Sequence, residues 1–159
     1  MSEKLPYQLD AFEKRMLGEL QRDGRLGVQE LATRVGLSTT PCWRRLKAME
    51  AAGVIERYVA LVDPDLAGVP ETVFAQISLT QHDRSGAEAF ERMVMTRPEV
   101  VECFAMTGDA DYLLRIVVPD VRAYDRFLKE TVFTLPAVHH VKSSFALRRI
   151  KFEVALPIV

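Results

Sequence analysis

An α+β chain in two parts, three short helices followed by a β-α-β-β-α-β half, is what three features of this sequence predict. Residues 10–50 carry apolar side chains at helical spacing in three runs broken by Gly24 and Gly36. Residues 72–156 switch back and forth between alternating and helical patterns. Between them, residues 63–70 hold two Pro and one Gly, the composition of a boundary. A length of 159 residues fits one or two small domains, and an apolar fraction of 48% is enough to give them cores.

The elements follow in order. Residues 1–9 read as a loose arm. Asp10 caps a helix to about Arg22, with Phe12, Met16, Leu17 and Leu20 on one stripe, and Asp23-Gly24 ends it. Gly27 opens a second helix through Val28, Leu31, Ala32 and Val35, which stops at Gly36. Ser38 is placed to cap a third, because its hydroxyl accepts from first-turn N–H groups, and Pro41 lacks an N–H where none is yet needed. In that helix Cys42, Leu46 and Met49 face a core, while Thr40, Arg44, Arg45 and Lys47 fall outside. Two helices joined by a short Gly turn, the second one basic, make a helix-turn-helix. The hydroxyl and basic set, with Ser38 and Thr39 at the helix start, suits the DNA major groove: hydroxyls and a helix N-terminus take phosphates, and Arg pairs with guanine. By itself this pattern equally fits a solvated helix face.

Residues 54–62 read as a strand that serves as wing and connector. Residues 72–80 alternate as a half-buried strand, and residues 85–96 repeat Ala89, Phe90, Met93 and Val94 at helical spacing before Arg97-Pro98. Residues 100–107 and 112–118 form a hairpin about Gly108-Asp109. Pro119-Asp120 opens a helix with Val121, Tyr124, Phe127, Leu128 and Val132, and residues 138–156 form a long strand, bent or split. This order is ferredoxin-like, with two helices on one sheet face and the other left to be covered, which predicts self-association.

Charge and cysteine usage narrow the function. Residues 1–62 hold ten Lys and Arg against eight Asp and Glu, and residues 63–159 eleven against fourteen, so the net −1 hides a local basic excess. Nucleic acid would be met through one patch rather than by bulk attraction. Cys42 and Cys103 lack CxxC spacing and read as reduced packing residues. His139 and His140 are adjacent, so a strand points them to opposite faces, and His82 sits beside Asp83 in a loop; no metal site is expected. No catalytic constellation is legible and no cofactor is expected. No apolar run nears the ~20 residues of a membrane span. The N-terminus lacks a signal-peptide core, so a cytoplasmic, nucleoid-associated location is expected.

Several stretches together resemble the Lrp/AsnC (feast/famine) family of transcription regulators, over nearly the whole chain. They are LQRDGR at residues 20–25, VGLSTTPCWRRLKAMEAAGVI at 35–55, YVALVDP at 58–64, PEVVECFAMTGDADYLLRIVVPD at 98–120, SSFALRRIK at 143–151 and ALP at 155–157. The resemblance implies a winged helix-turn-helix DNA-binding domain over 1–53, a wing and hinge over 54–70, and over 71–159 a ferredoxin-like (RAM/ACT-like) effector-binding and oligomerisation domain. It implies a homodimer assembling into tetramers, octamers or larger rings, a pseudo-palindromic operator in double-stranded DNA, and an amino acid or related metabolite bound near the loop after the second strand of the C-terminal half.

For that ligand the expected groups are Thr107, Gly108, Asp109, Ala110, Asp111, Tyr112, Ser143 and Ser144: carboxylates for an ammonium, backbone and hydroxyl donors for a carboxylate. Read alone, Gly108-Asp109 is ordinary turn chemistry. Ala110 stands where the family usually has an aromatic residue, which enlarges any pocket it borders. Trp43 stands where an aliphatic residue is more usual, and two placements are open to it, against the first helix or at the DNA surface.

Two other functions fit the sequence less well. Some tetrapyrrole (siroheme-type) decarboxylases look like this family, but need no intact cap, Pro and basic face in the third helix. A chromosome-organising protein with little sequence preference would carry more positive charge than a net −1.

Overall fold

The computed structural model describes residues 7–80 and 84–158, so His82 and Asp83 lie outside the described residues. It divides into two compact units, Met1–Leu61 with Lys151–Val159, and Val62–Ile150.

The first unit is built on three helices, α1 (Ala11–Arg22), α2 (Val28–Val35) and α3 (Thr39–Ala51). Asp10 opens α1 with a capping box: its carboxylate accepts from Phe12 N–H at 2.8 Å and Glu13 N–H at 2.9 Å, and Glu13 accepts from Asp10 N–H at 3.0 Å. The Glu13 N–H bond, followed by that of the Arg45 guanidinium, holds the Asp10 carboxyl below its usual range. Met16, Leu17 and Leu20 from α1, Leu31, Ala32 and Val35 from α2, and Cys42, Leu46 and Met49 from α3 form one core. Gly36 ends α2 in the left-handed region, at φ 74°. A Cβ there would meet nothing within 4 Å. Gly36→Ala is therefore expected to cost only the backbone penalty, about 1 kcal/mol in urea unfolding.

Two expectations fail here. Ser38 stands at the N-cap with extended backbone, but its hydroxyl makes no capping bond. Counting from Thr39 as the first helical residue, Pro41 is the third, so the donor a Ser cap would use at that position does not exist. The strand expected over residues 54–62 is also not formed: the N–H groups of Val54 and Ile55 return to the Met49 carbonyl at 2.9 and 3.3 Å, and among the described residues no strand pairs with those that follow. Val59, Leu61 and Val62 are consequently left exposed. An alternating pattern makes a strand only when another edge accepts it.

The second unit holds β1 (Glu71–Leu79), α4 (Arg84–Thr96), β2 (Val100–Ala105), β3 (Tyr112–Val118), α5 (Val121–Glu130), a short 3-10 turn Val132–Thr134, and β4 (Val138–Phe145). All strand pairs are antiparallel, in the order β2-β3-β1-β4. Val73, Ala75 and Ile77 of β1 and Leu114, Ile116 and Val118 of β3 alternate inward and pack on Phe90 and Val94 of α4 and Tyr124 and Phe127 of α5. Both helices thus cover one face. On the other, Phe74 and Phe104 remain exposed, beside an Arg115–Glu102 ion pair of 2.8 Å.

The last strand is shorter than expected. β4 ends at Phe145, Ala146 N–H still bonds the Thr72 carbonyl at 2.9 Å, and Lys151–Val159 groups with the helical unit. Leu156 N–H donates to Gln21 Oε1 at 2.6 Å, Gln21 Nε2 donates back to the Leu156 carbonyl at 3.2 Å, and Ile158 packs on the helical core. Those bonds and that apolar anchor are what the sheet edge does not offer this segment.

Candidate functional sites

On α3 the 100° turn per residue sorts the side chains. Cys42, Leu46 and Met49 are buried, and Thr40, Trp43, Arg44 and Lys47 share the opposite arc, all exposed. Ser38 and Thr39 are exposed at the helix start. Arg44 has no hydrogen-bonding or ionic partner among the described residues, and Lys47 reaches Glu50 at 2.6 Å on the surface. That lysine is the main reason the Glu50 carboxyl sits below its usual range.

Arg45 differs from Arg44 in having partners. One residue past Arg44 it has turned toward α1, where its guanidinium bonds the Asp10 carboxylate, lies 3.7 Å from Glu13 and stands 5.7 Å from the Phe12 ring. Its charge ties two helices together, and a third of its side chain remains exposed. Trp43 is 51% exposed and is not part of the helical core.

The second site lies at the β2–β3 turn. Gly108 adopts φ 113°, a conformation that L side chains rarely take. Met106 N–H bonds the Asp111 carbonyl at 2.8 Å, Asp111 N–H bonds the Ile77 carbonyl at 2.9 Å, and Ser78 Oγ donates to the Asp109 carbonyl at 3.3 Å. The turn so held borders a cleft of about 180 Å³ lined by Gln76, Met106, Thr107, Asp109, Ala110 and Leu113.

Of the eight expected effector residues, Thr107, Asp109 and Ala110 line this cleft, and Gly108 shapes the turn between them. The others are not part of its lining. The Asp111 carboxylate accepts from Leu79 N–H at 2.7 Å, fastening the turn to β1. Tyr112 points into the core, its ring 4.7 Å from Phe90 and its hydroxyl donating to Glu91 at 2.8 Å; burial first, and Glu91 after it, push that phenol up to about 12. Ser143 is on the same side, its hydroxyl 2.6 Å from that of Tyr124, and Ser144, paired with Phe74, is on the uncovered face but outside the cleft lining. Adjacent strand residues face opposite ways, so both serines could not have served one site.

Sequence reasoning missed Gln76, Met106 and Leu113. Gln76 and Leu113 are cross-strand partners on the uncovered face. The polar break that Gln76 makes in β1 was the available signal, but only the register places it beneath the turn. His139 and His140 are exposed on β4, and no group of three metal-ligating side chains exists among the described residues.

Residues 9–56 match the model of a winged helix-turn-helix DNA-binding domain, and residues 72–156 match the model of the Lrp/AsnC ligand binding domain. The chain belongs to the Lrp/AsnC family. It is 41% identical over 150 residues to the DNA-binding transcriptional activator DecR of Escherichia coli strain K12, covering 94% of this chain and 99% of that one. A transcriptional regulator of Neisseria meningitidis, solved as a complex with L-Met, superposes with a TM-score of 0.90 at 38% identity, covering 94% of this chain and 97% of that one. An AsnC family transcriptional regulator of Agrobacterium tumefaciens superposes at 0.89 with 46% identity and the same coverage. The Lrp/AsnC fold places the α3 arc in the DNA-binding domain and the cleft in the ligand-binding domain, so the chain is a DNA-binding transcription regulator with a ligand-binding half. No helix among the described residues is long and apolar enough to cross a membrane.

Proposed function

We propose that this regulator binds a specific pseudo-palindromic operator as a symmetric dimer or a larger ring, and that a free amino acid in the cleft at residues 106–110 adjusts its grip. The observation that carries the reading is the outward arc of α3, where Thr40, Arg44 and Lys47 stand exposed in a helix-turn-helix. A two-fold dimer presents that helix twice, which calls for two half-sites about one helical turn apart. The exposed Phe74 and Phe104 on the open sheet face support self-association. The reading has no catalytic step, and it places the protein with the chromosome in the cytoplasm.

The cleft suits an amino acid by its lining. Asp109 supplies an acceptor for an ammonium, Thr107 and Gln76 supply donors for a carboxylate, and Met106 and Leu113 offer apolar wall to a side chain. Ala110 leaves room where a larger residue would fill it. The L-Met complex of the Neisseria relative supports an amino acid over other metabolites.

Titration with the twenty amino acids, followed by thermal shift and by operator binding, tests this. A ligand at a hundred times its dissociation constant adds about 2.7 kcal/mol of apparent stability. Asp109→Asn is expected to weaken that ligand about tenfold, and Ala110→Phe to abolish the shift while the fold persists. No response to any amino acid, or an unaltered response in Ala110→Phe, would remove the cleft from the mechanism.

A further inference from the structure

We propose that Trp43 is a specificity-determining residue, whose indole face packs on the 5-methyl groups of thymine in the major groove. The assignment rests on α3 being the DNA-reading helix. Every other large apolar side chain of α3 is accounted for: Leu46 is 7% exposed and Met49 fully buried in the helical core, whereas Trp43 is 51% exposed. Among the described residues its ring has no aromatic or cationic neighbour. It shares its arc with Thr40, Arg44 and Lys47. A flat apolar surface beside Arg44 and Lys47 suits a polyanion better than an apolar protein face, because docking onto an apolar face would bury the Arg44 guanidinium without an acceptor.

Within the groove the chemistry narrows further. The thymine methyl is the apolar group on the major-groove base edges; the rest of those edges are hydrogen-bond donors and acceptors. An indole has one N–H donor and no acceptor, so it cannot pair with the amino groups of cytosine or adenine. Contact with a thymine methyl removes apolar surface of both partners from water, and the N–H remains free for a phosphate or for thymine O4. Arg44 on guanine and Trp43 beside thymine would then read neighbouring bases.

The chain has one Trp, so its emission reports this position alone. The test uses the full chain and a duplex enriched from a random library by the wild-type protein. Saturation with that duplex is expected to shift the emission to the blue and to reduce acrylamide quenching. Replacing half-site thymines by uracil, which deletes only the methyl, is expected to weaken wild-type binding roughly fourfold per contacted methyl. Trp43→Ala should bind thymine and uracil duplexes alike, and Trp43→Phe should keep part of the preference. Uracil equal to thymine at every half-site position, or emission and quenching unmoved by saturating duplex, would overturn the assignment while leaving the regulator reading intact. A library from which nothing is enriched would overturn the sequence-specific reading, and this assignment with it.

Discussion

Arg44→Ala is expected to weaken operator binding by about 1–3 kcal/mol, a roughly five- to 150-fold rise in the dissociation constant, and to relax base preference at one position of each half-site. The loss should be confined to binding, because the side chain is exposed and has no partner among the described residues, so its removal leaves the helical core unchanged. Thermal unfolding of the variant should match the wild type, and the whole loss should appear in binding. A phosphate contact would show a different signature, a uniform weakening across sequences with a salt slope shallower by about one. Arg45→Ala serves as the contrast. Its guanidinium bonds Asp10 and lies near Glu13, so its loss should loosen α1 against α3 and lower the melting temperature. Unchanged operator affinity in Arg44→Ala, measured by anisotropy at two salt concentrations, would refute the assigned role of α3.

Phe90→Ala carries the largest expected loss of stability, about 3–5 kcal/mol in denaturant unfolding of the second unit. Phe90 is fully buried under the sheet and its ring stands 4.7 Å from that of Tyr112. Tyr112 opens β3 directly after the turn that borders the cleft, and its hydroxyl is held by Glu91, the next residue of α4. Loss of the Phe90 ring therefore leaves a cavity and frees the anchor of the turn together. Any amino acid stabilisation should disappear in this variant, and Phe90→Leu should retain most of it. A loss below 1 kcal/mol would mean that α4 closes over the space, and that the turn is held by Asp111 and β1 alone.

These outcomes depend unequally on what could be read in the sequence. Helix positions in the first unit were legible because capping and termination are local: Asp10 with Glu13 three residues on, and Gly36 where the backbone must turn left-handed. The inward set of α3 was legible for the same reason, since Cys42, Leu46 and Met49 recur at the helical period. What failed was whatever needed a partner distant in the chain. Residues 54–62 have strand composition but pair with no strand among the described residues, and beyond Ala146 the chain leaves the sheet, with Leu156 bonding Gln21 and Ile158 joining the helical core. Ser38 is the one local miss, and Pro41 explains it.

The candidate sites divide the same way. Periodicity put Arg44 and Arg45 on one outer face, yet 100° of helical turn sent Arg45 to Asp10 and left Arg44 free. The turn at Gly108 was visible as turn chemistry, but Ser143 and Tyr112 were assigned to a site they face away from. By itself the sequence determined the three helices, the β-α-β-β-α-β order and the turn at Gly108, because propensity, capping and period act within a few residues. Only the tertiary structure decided that Gln76 and Leu113 meet beneath that turn, that Asp111 serves β1, and that Trp43 faces outward. Those depend on strand register and helix facing, which are set by packing between segments far apart in the chain.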